Sequence, residues 1–224
     1  MSDMSYRGCG RAAPVRALVM LLCVVTAMLI AARSAHAQEA PDALVKRVSE
    51  ETLQIVKSDP KVQAGDQARI REVIETKLVP YFDFPRMTAL AMGRNWRSAS
   101  PEQQQKLTDE FRQLLVRTYS GALNQYRDQT INYKPLRAEP NASDVTVRTE
   151  VVRPGQQAVQ IDYSLEKSPS GWKAYDVQVG GVSLVTNYRD EFNAQVQSGG
   201  VDGLIKALAA KNSGSPPKPP VVAK

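Results

Sequence analysis

The sequence predicts an α+β domain: helices first, then four strands, then helices again. Three observations carry this. Apolar residues follow a helical period up to about residue 127. From about residue 130 they alternate with polar residues at period two. After Gly180-Gly181 the helical period returns.

Pro41 suits the first position of a helix, and Leu44, Val45, Val48, Ile55 and Val56 keep helical spacing to Ser58-Asp59-Pro60. Gly65-Asp66 opens a second helix, with Ile70, Val73, Ile74 and Leu78 on one face and Pro80 as its stop. A short third helix spans about Phe84 to Met92, with Gly93 as its C-terminal cap. Ser100-Pro101-Glu102-Gln103 is a capping box. The long amphipathic helix behind it runs to about Arg127, with Leu107, Phe111, Leu114, Leu115, Tyr119, Ala122, Leu123 and Tyr126 as its stripe.

Residues 130–137 read as a first strand, weakened by Pro135. Val145, Val147, Thr149 and Val151 alternate in a second, and Val159, Ile161, Tyr163 and Leu165 in a third. Trp172 to Val179 forms the fourth, with Tyr175, Val177 and Val179 on its apolar face. The turns at Arg153-Pro154-Gly155-Gln156 and Ser168-Pro169-Ser170-Gly171 imply an antiparallel meander with one apolar face, which the helices must cover. Leu184, Val185, Tyr188, Phe192 and Val196 form the next helical stripe. Gly199-Gly200 interrupts it, and Leu204, Ile205 and Leu208 make a last helix.

The first 37 residues read as an export signal. Arg7, Arg11 and Arg16 precede an apolar run from Ala17 to Ala32, and Ala35-His36-Ala37 gives a small-x-small cleavage pattern. The alternative is an uncleaved anchor, but the run is shorter than the roughly 20 residues that span a bilayer. Cys9, Cys23 and His36 all fall in this segment. The exported remainder therefore has no thiol and no imidazole, which excludes disulfides, Cys nucleophiles, Ser-His-Asp triads and His-ligated metals. The segment also carries +3 of the total +6, leaving a mildly basic +3 that calls for no nucleic acid. Residues 38–212 read as one domain and residues 213–224, with four prolines, as a disordered tail.

Carboxylates are the acid–base candidates that remain. Asp162 and Asp176 lie on neighbouring strands beside Tyr163 and Tyr175, as an enzymatic Asp/Tyr pocket would require. Their alternation opposite the apolar set places both on the solvent face instead. Asp83, within Tyr81-Phe82-Asp83-Phe84-Pro85, is an aromatic-flanked acid or the cap of the next helix; the following Pro favours the cap. Arg86, Arg94 and Arg97 around Trp96 form a phosphate-touching patch or a solvated surface, and the solvated reading is preferred. No calcium loop, P-loop, nucleophile elbow or dinucleotide fingerprint occurs. Periodicity does not distinguish a packed core from a lined cavity.

Several blocks together resemble the MlaC (toluene-tolerance) family of phospholipid carriers. They include Leu78-Val79-Pro80-Tyr81-Phe82-Asp83-Phe84, Ala91-Met92-Gly93-Arg94-Asn95-Trp96-Arg97 and Ser100-Pro101-Glu102-Gln103 running into Tyr119-Ser120-Gly121-Ala122-Leu123. Later blocks are Trp172 to Val177, Gly181 to Tyr188 and Gly199 to Leu204, so the likeness spans about Asp42 to Asn212. The resemblance implies an NTF2-like antiparallel sheet wrapped by N- and C-terminal helices, with a lipid cavity between them. It implies a non-enzymatic, monomeric periplasmic protein with no cofactor or metal. Its cargo would be phospholipid. Its partners would be an outer-membrane lipoprotein–porin complex and an inner-membrane ABC transporter with an MCE-domain subunit, the transport preserving outer-membrane lipid asymmetry. Tyr119 and Val182 are the first lipid-contacting residues it implies, with Leu115, Val147, Ile161 and Val177 from the helix and sheet stripes beside them. The cavity would be large for the usual ligand range of about 300–1,000 Å³. Two readings stand against the carrier: an enzyme using Asp162 or Asp176, and a lipid-free envelope adaptor.

Overall fold

The computed structural model describes residues 38–124, 129–139 and 141–214, with side chains 122–124 left aside. The expected export signal, the expected continuation of the long helix to about Arg127 and most of the expected disordered tail fall outside the described residues.

Helix α1 (Pro41–Ser58) begins on its proline and buries Leu44, Val45, Val48, Thr52 and Val56. Asp59 then stops it and caps a one-turn helix α2 (Pro60–Gln63), which the periodicity did not signal; the carboxylate accepts from the N–H groups of Lys61 and Val62. Asp66 caps α3 (Gln67–Val73) in the same way. The expected second helix does not stay α-helical to Pro80. It widens into a π-turn over Ile74–Leu78 and tightens into a 3₁₀ turn over Val79–Tyr81. Pro80 has no N–H to donate and its ring crowds the preceding turn, so the regular ladder ends there.

Asp83 is the cap of α4 (Phe84–Met92), accepting from the Arg86 N–H at 2.9 Å. A 3₁₀ turn over Gly93–Ser98 leads to the capping box. The Gln103 N–H donates to Ser100 Oγ, and the Ser100 N–H donates to Gln103 Oε1 at 3.0 Å. Helix α5 (Pro101–Asn124) follows and buries Leu107, Phe111, Leu114 and Leu115.

The sheet is an antiparallel meander of five strands in sequence order, not four. These are β1 (Thr130–Tyr133), β2 (Asp144–Val152), β3 (Val159–Ser168), β4 (Gly171–Val179) and β5 (Val182–Ser183). The fifth arises because Gly180 and Gly181 both adopt positive φ, 57° and 82°. That is the geometry of a two-residue hairpin turn, so the chain folds straight back and pairs Val182 with Val179. The first strand stops two residues before Pro135.

A register shift in the β3–β4 pair corrects one face assignment. Ser164 pairs with Asp176 but Leu165 pairs with Ala174, which leaves Tyr175 as an extra, bulged residue. Tyr175 therefore leaves the apolar face. Its hydroxyl donates to Asp144 at 2.9 Å and the Arg86 guanidinium stacks on its ring at 3.6 Å. Arg86 also pairs with Asp144 and Glu166, so it clamps α4 to the sheet and takes no part in a patch around Trp96.

After a 3₁₀ turn over Thr186–Tyr188, α6 (Arg189–Ser213) runs to the end of the described chain. Gly200 breaks it with φ 66° and ψ −172°, at the interruption the sequence predicts. Phe192, Leu204 and Leu208 join Phe111 and Tyr188 in an all-helical core; the Phe111 ring meets Tyr188 and Phe192 edge-on at 5.2 and 5.1 Å. A second core packs α1 on the sheet through Val145, Val147, Leu165, Trp172 and Ala174. A third joins α1, α2, α3 and the π-turn to Val116 of α5.

Candidate functional site

Where these three cores meet, the apolar faces do not close completely. A cavity of about 300 Å³ remains between α1, the π-turn, α4, α5 and the inward face of the sheet. Leu44, Val45 and Val48 of α1 form one wall, and Leu115, Val116 and Tyr119 of α5 another. Ile74, Leu78 and Val79 enter from the π-turn, Phe84 and Met87 from α4. Tyr163, Leu165, Ala174 and Val177 make the sheet floor, and Leu184 follows the β4–β5 hairpin. The volume sits at the low end of the usual ligand range, smaller than the resemblance led one to expect.

Four polar side chains reach this lining: Ser49, Tyr81, Tyr119 and Tyr163. The Tyr119 hydroxyl is buried and has no hydrogen-bond partner among the described residues. Loss of water raises its pKa well above the ordinary tyrosine value. Burial, with the Tyr133 ring hydroxyl beside it, pushes Tyr163 up to about 12. Both phenols are therefore neutral donors at any physiological pH. Tyr81 stands nearer water: the partly exposed Arg47 guanidinium donates to its hydroxyl at 3.4 Å and lies 5.5 Å from its ring. Glu39 and Glu51 hold Arg47 from the outside.

Three of the six residues expected to contact lipid are in this lining: Tyr119, Leu115 and Val177. The other three are not. Val147 is fully buried against Leu44, Val45 and Val48, so α1 covers it. Ile161 is on the inward face but one pair further along β3, opposite Thr149. Burial fades in that direction, and Val159 beyond it is 39 % exposed. Val182 is taken up in β5, paired with Val179; Leu184 reaches the wall two residues later. Sequence reasoning missed the whole contribution of α1 and the π-turn. Their apolar stripes were visible, but a stripe does not say whether it meets a neighbour or a void.

Asp162 and Asp176 lie on the opposite face of the sheet, and neither lines the cavity. The expectation that both face solvent is corrected. Asp176 is 7 % exposed and accepts from Ser183 Oγ at 2.8 Å and from the Val177 N–H at 2.9 Å. The glycine hairpin folds Ser183 over it. Burial raises its pKa above the usual carboxylate range, against those two donors. The Asp162 carboxylate accepts from Gln160 and lies 3.9 Å from Arg148, with its other oxygen buried and unpartnered among the described residues.

What the arrangement can do chemically is shelter apolar matter from water. Comparisons with known proteins fit that geometry. Residues 46–210 match the MlaC protein family. The chain is 24 % identical over 192 residues to the intermembrane phospholipid transport system binding protein MlaC of Haemophilus influenzae, covering 84 % of this chain and 89 % of that one. It is 25 % identical over 188 residues to the toluene tolerance protein ttg2D of Pseudomonas putida, covering 84 % of each. A solved phospholipid-binding protein from Ralstonia solanacearum, in complex with a phospholipid, superposes with a TM-score of 0.73 at 41 % identity. The match covers 78 % of this chain and 98 % of that one. By the extent of the family match and by its agreement with the fold, the chain belongs to the MlaC family.

Proposed function

We propose that this protein is a non-enzymatic phospholipid carrier of the periplasm. In this reading its cavity shelters acyl tails while it moves between an outer-membrane lipoprotein–porin complex and an inner-membrane ABC transporter bearing an MCE-domain subunit. The observation that carries the reading is the apolar cavity itself. The phospholipid named for the Haemophilus and Ralstonia relatives and the export-signal pattern of residues 1–37 support it.

The physics follows from the tail. A chain of about 15 methylenes gains roughly 0.8 kcal/mol per methylene on leaving water, or about 12 kcal/mol. A lone tail therefore does not cross an aqueous compartment at a useful rate. A bilayer offers the same shelter as the cavity, so exchange between the two is near balance. A carrier needs that: strong binding measured against water, weak binding measured against a membrane. The headgroup stays hydrated, because burying its charge unpaired would be costly. Direction of travel then comes from the partners.

Native mass spectrometry tests the reading. The protein purified from its host should carry a phospholipid mass. Tyr119→Glu places a charge in the dry lining and should abolish that mass with the circular dichroism spectrum intact. Leu184→Trp, which fills the cavity without charging it, serves as the second variant. Wild-type protein that is empty as purified and takes up no lipid from vesicles overturns the carrier and leaves the lipid-free adaptor.

A further inference from the structure

On the far side of the cavity wall lies a second hollow of different chemistry. It is a cleft of about 310 Å³ between α3, the π-turn and α5, bounded by Arg71, Glu75, Asp109, Arg112, Gln113, Val116 and Arg117. Val116 belongs to both linings, so the apolar cavity and the charged cleft adjoin at that side chain. The π-turn serves both as well: Ile74 lines the cavity and Glu75 the cleft.

The charges do not cancel. Three guanidinium groups face two carboxylates, a surplus of one positive charge. Arg112 is paired with Glu75. Asp109 is engaged by the Gln105 amide at 3.1 and 3.2 Å. Arg71 has no partner among the described residues. Arg117 donates from one terminal nitrogen to the Gly214 carbonyl, but its Nε is buried and has no acceptor among the described residues. A buried N–H without an acceptor is disfavoured, and the exposed Arg71 guanidinium is the donor that the cleft leaves open to solvent. Guanidinium forks match the oxygens of a phosphate in pairs.

From this donor surplus we propose that the Arg71–Arg112–Arg117 cleft binds a phosphate-type oxyanion. The single net positive charge, with Asp109 on the rim, favours a singly charged phosphodiester over inorganic phosphate. An apolar hollow and a phosphodiester seat on two sides of one valine follow the order of tail and headgroup in a phospholipid. A lipid headgroup is thus one source of the anion, and that assignment alone rests on the carrier reading. A free phosphate compound is the other source. The seat itself stands on the cleft's own geometry.

The test follows the arginine Nε–H signals by NMR while dimethyl phosphate, a diester without tails, is titrated at matched ionic strength. Inorganic phosphate is titrated separately. Saturable shifts of Arg71 and Arg117 are expected, with tighter half-saturation by the diester. Arg71→Gln should weaken it at least fivefold, whereas Arg97→Gln should leave it unchanged. Arg71 is exposed, so the fold is not at stake in that variant. Protein loaded with phospholipid then separates the sources. If the headgroup fills the cleft, these signals are already shifted and the diester no longer titrates. If free phosphate compounds are the ligand, loaded and empty protein titrate alike. Absence of a saturable shift with either anion, or Arg71→Gln titrating like wild type, overturns the seat. Lipid content, weighed by mass in the same samples, scores the carrier reading independently.

Discussion

Asp176 holds the β4–β5 hairpin from the inside. Its carboxylate takes the Ser183 hydroxyl, and Ser183 Oγ in turn accepts from the N–H groups of Val185 and Thr186. One buried charge thus fixes the segment that carries Leu184 to the cavity wall. Its pKa is raised, chiefly by burial, so between the ordinary carboxylate value and the raised one the folded state holds more protons than the unfolded chain. Stability therefore falls as pH rises through that window. Asp176→Asn should remove this pH dependence and leave stability at neutral pH equal or higher, as read by denaturant unfolding. Ser183→Ala leaves the charge short of a donor and should cost roughly 1–3 kcal/mol at neutral pH. At this scale the sequence was partly legible. The Ser100–Gln103 box and the Asp83 cap are local devices, set by residues within three positions, and both could be read directly. The burial of Asp176 could not, because it depends on a bulge and a hairpin that bring distant atoms over it.

Among the elements, the strands and the long helices were visible as periods, and their bounds follow the turn residues. Besides the one-turn α2, two elements beside the cavity were not. The π-turn at Ile74–Leu78 lasts one turn, too short for its period to separate from that of an α-helix. Yet it is what aims Ile74 and Leu78 into the cavity while Glu75 points away. The two-residue strand β5 was hidden because its only sign is a glycine pair, which reads equally as a loop. Its dependence on that pair is testable. An added Cβ at Gly181 would meet nothing within 4 Å, so only the backbone at φ 82° resists a side chain. Gly181→Ala should cost about 1–2 kcal/mol through that conformation alone. Hydrogen exchange at the Leu184 N–H, which bonds the Val177 carbonyl at 2.8 Å, should speed up with it.

For the molecule as a whole, three cores meeting around a void imply a linkage between cargo and stability. An unfilled apolar cavity leaves its lining without contacts on one side. A ligand bound only by the folded state adds RT ln(1 + [L]/Kd) to stability. Protein stripped of lipid in organic solvent and refolded should unfold at lower denaturant than protein as purified, and reloading from vesicles should restore the midpoint. Equal midpoints with verified loading would mean that the cavity contributes no net binding. The existence of the void was the least legible property. Every wall residue carries the same apolar signature as a core residue, and only the packed structure shows where the faces fail to meet.

Phe82 guards a margin of the sheet. Among the described residues the first half of β4 has no strand beyond it, since β5 pairs only with Gln178 and Val179. Phe82 covers that margin by pairing in parallel with Ala174, and the Asp83 N–H donates to the Ala174 carbonyl at 2.8 Å. Phe82 and Ala174 also line the cavity. A loading motion that lifted this segment away would bare an open strand edge at the moment the apolar interior was exposed, which is the template on which misassembly begins. Cargo entry and protection from aggregation are therefore in opposition at one backbone contact. The safest entrance lies wherever Phe82 can stay in place.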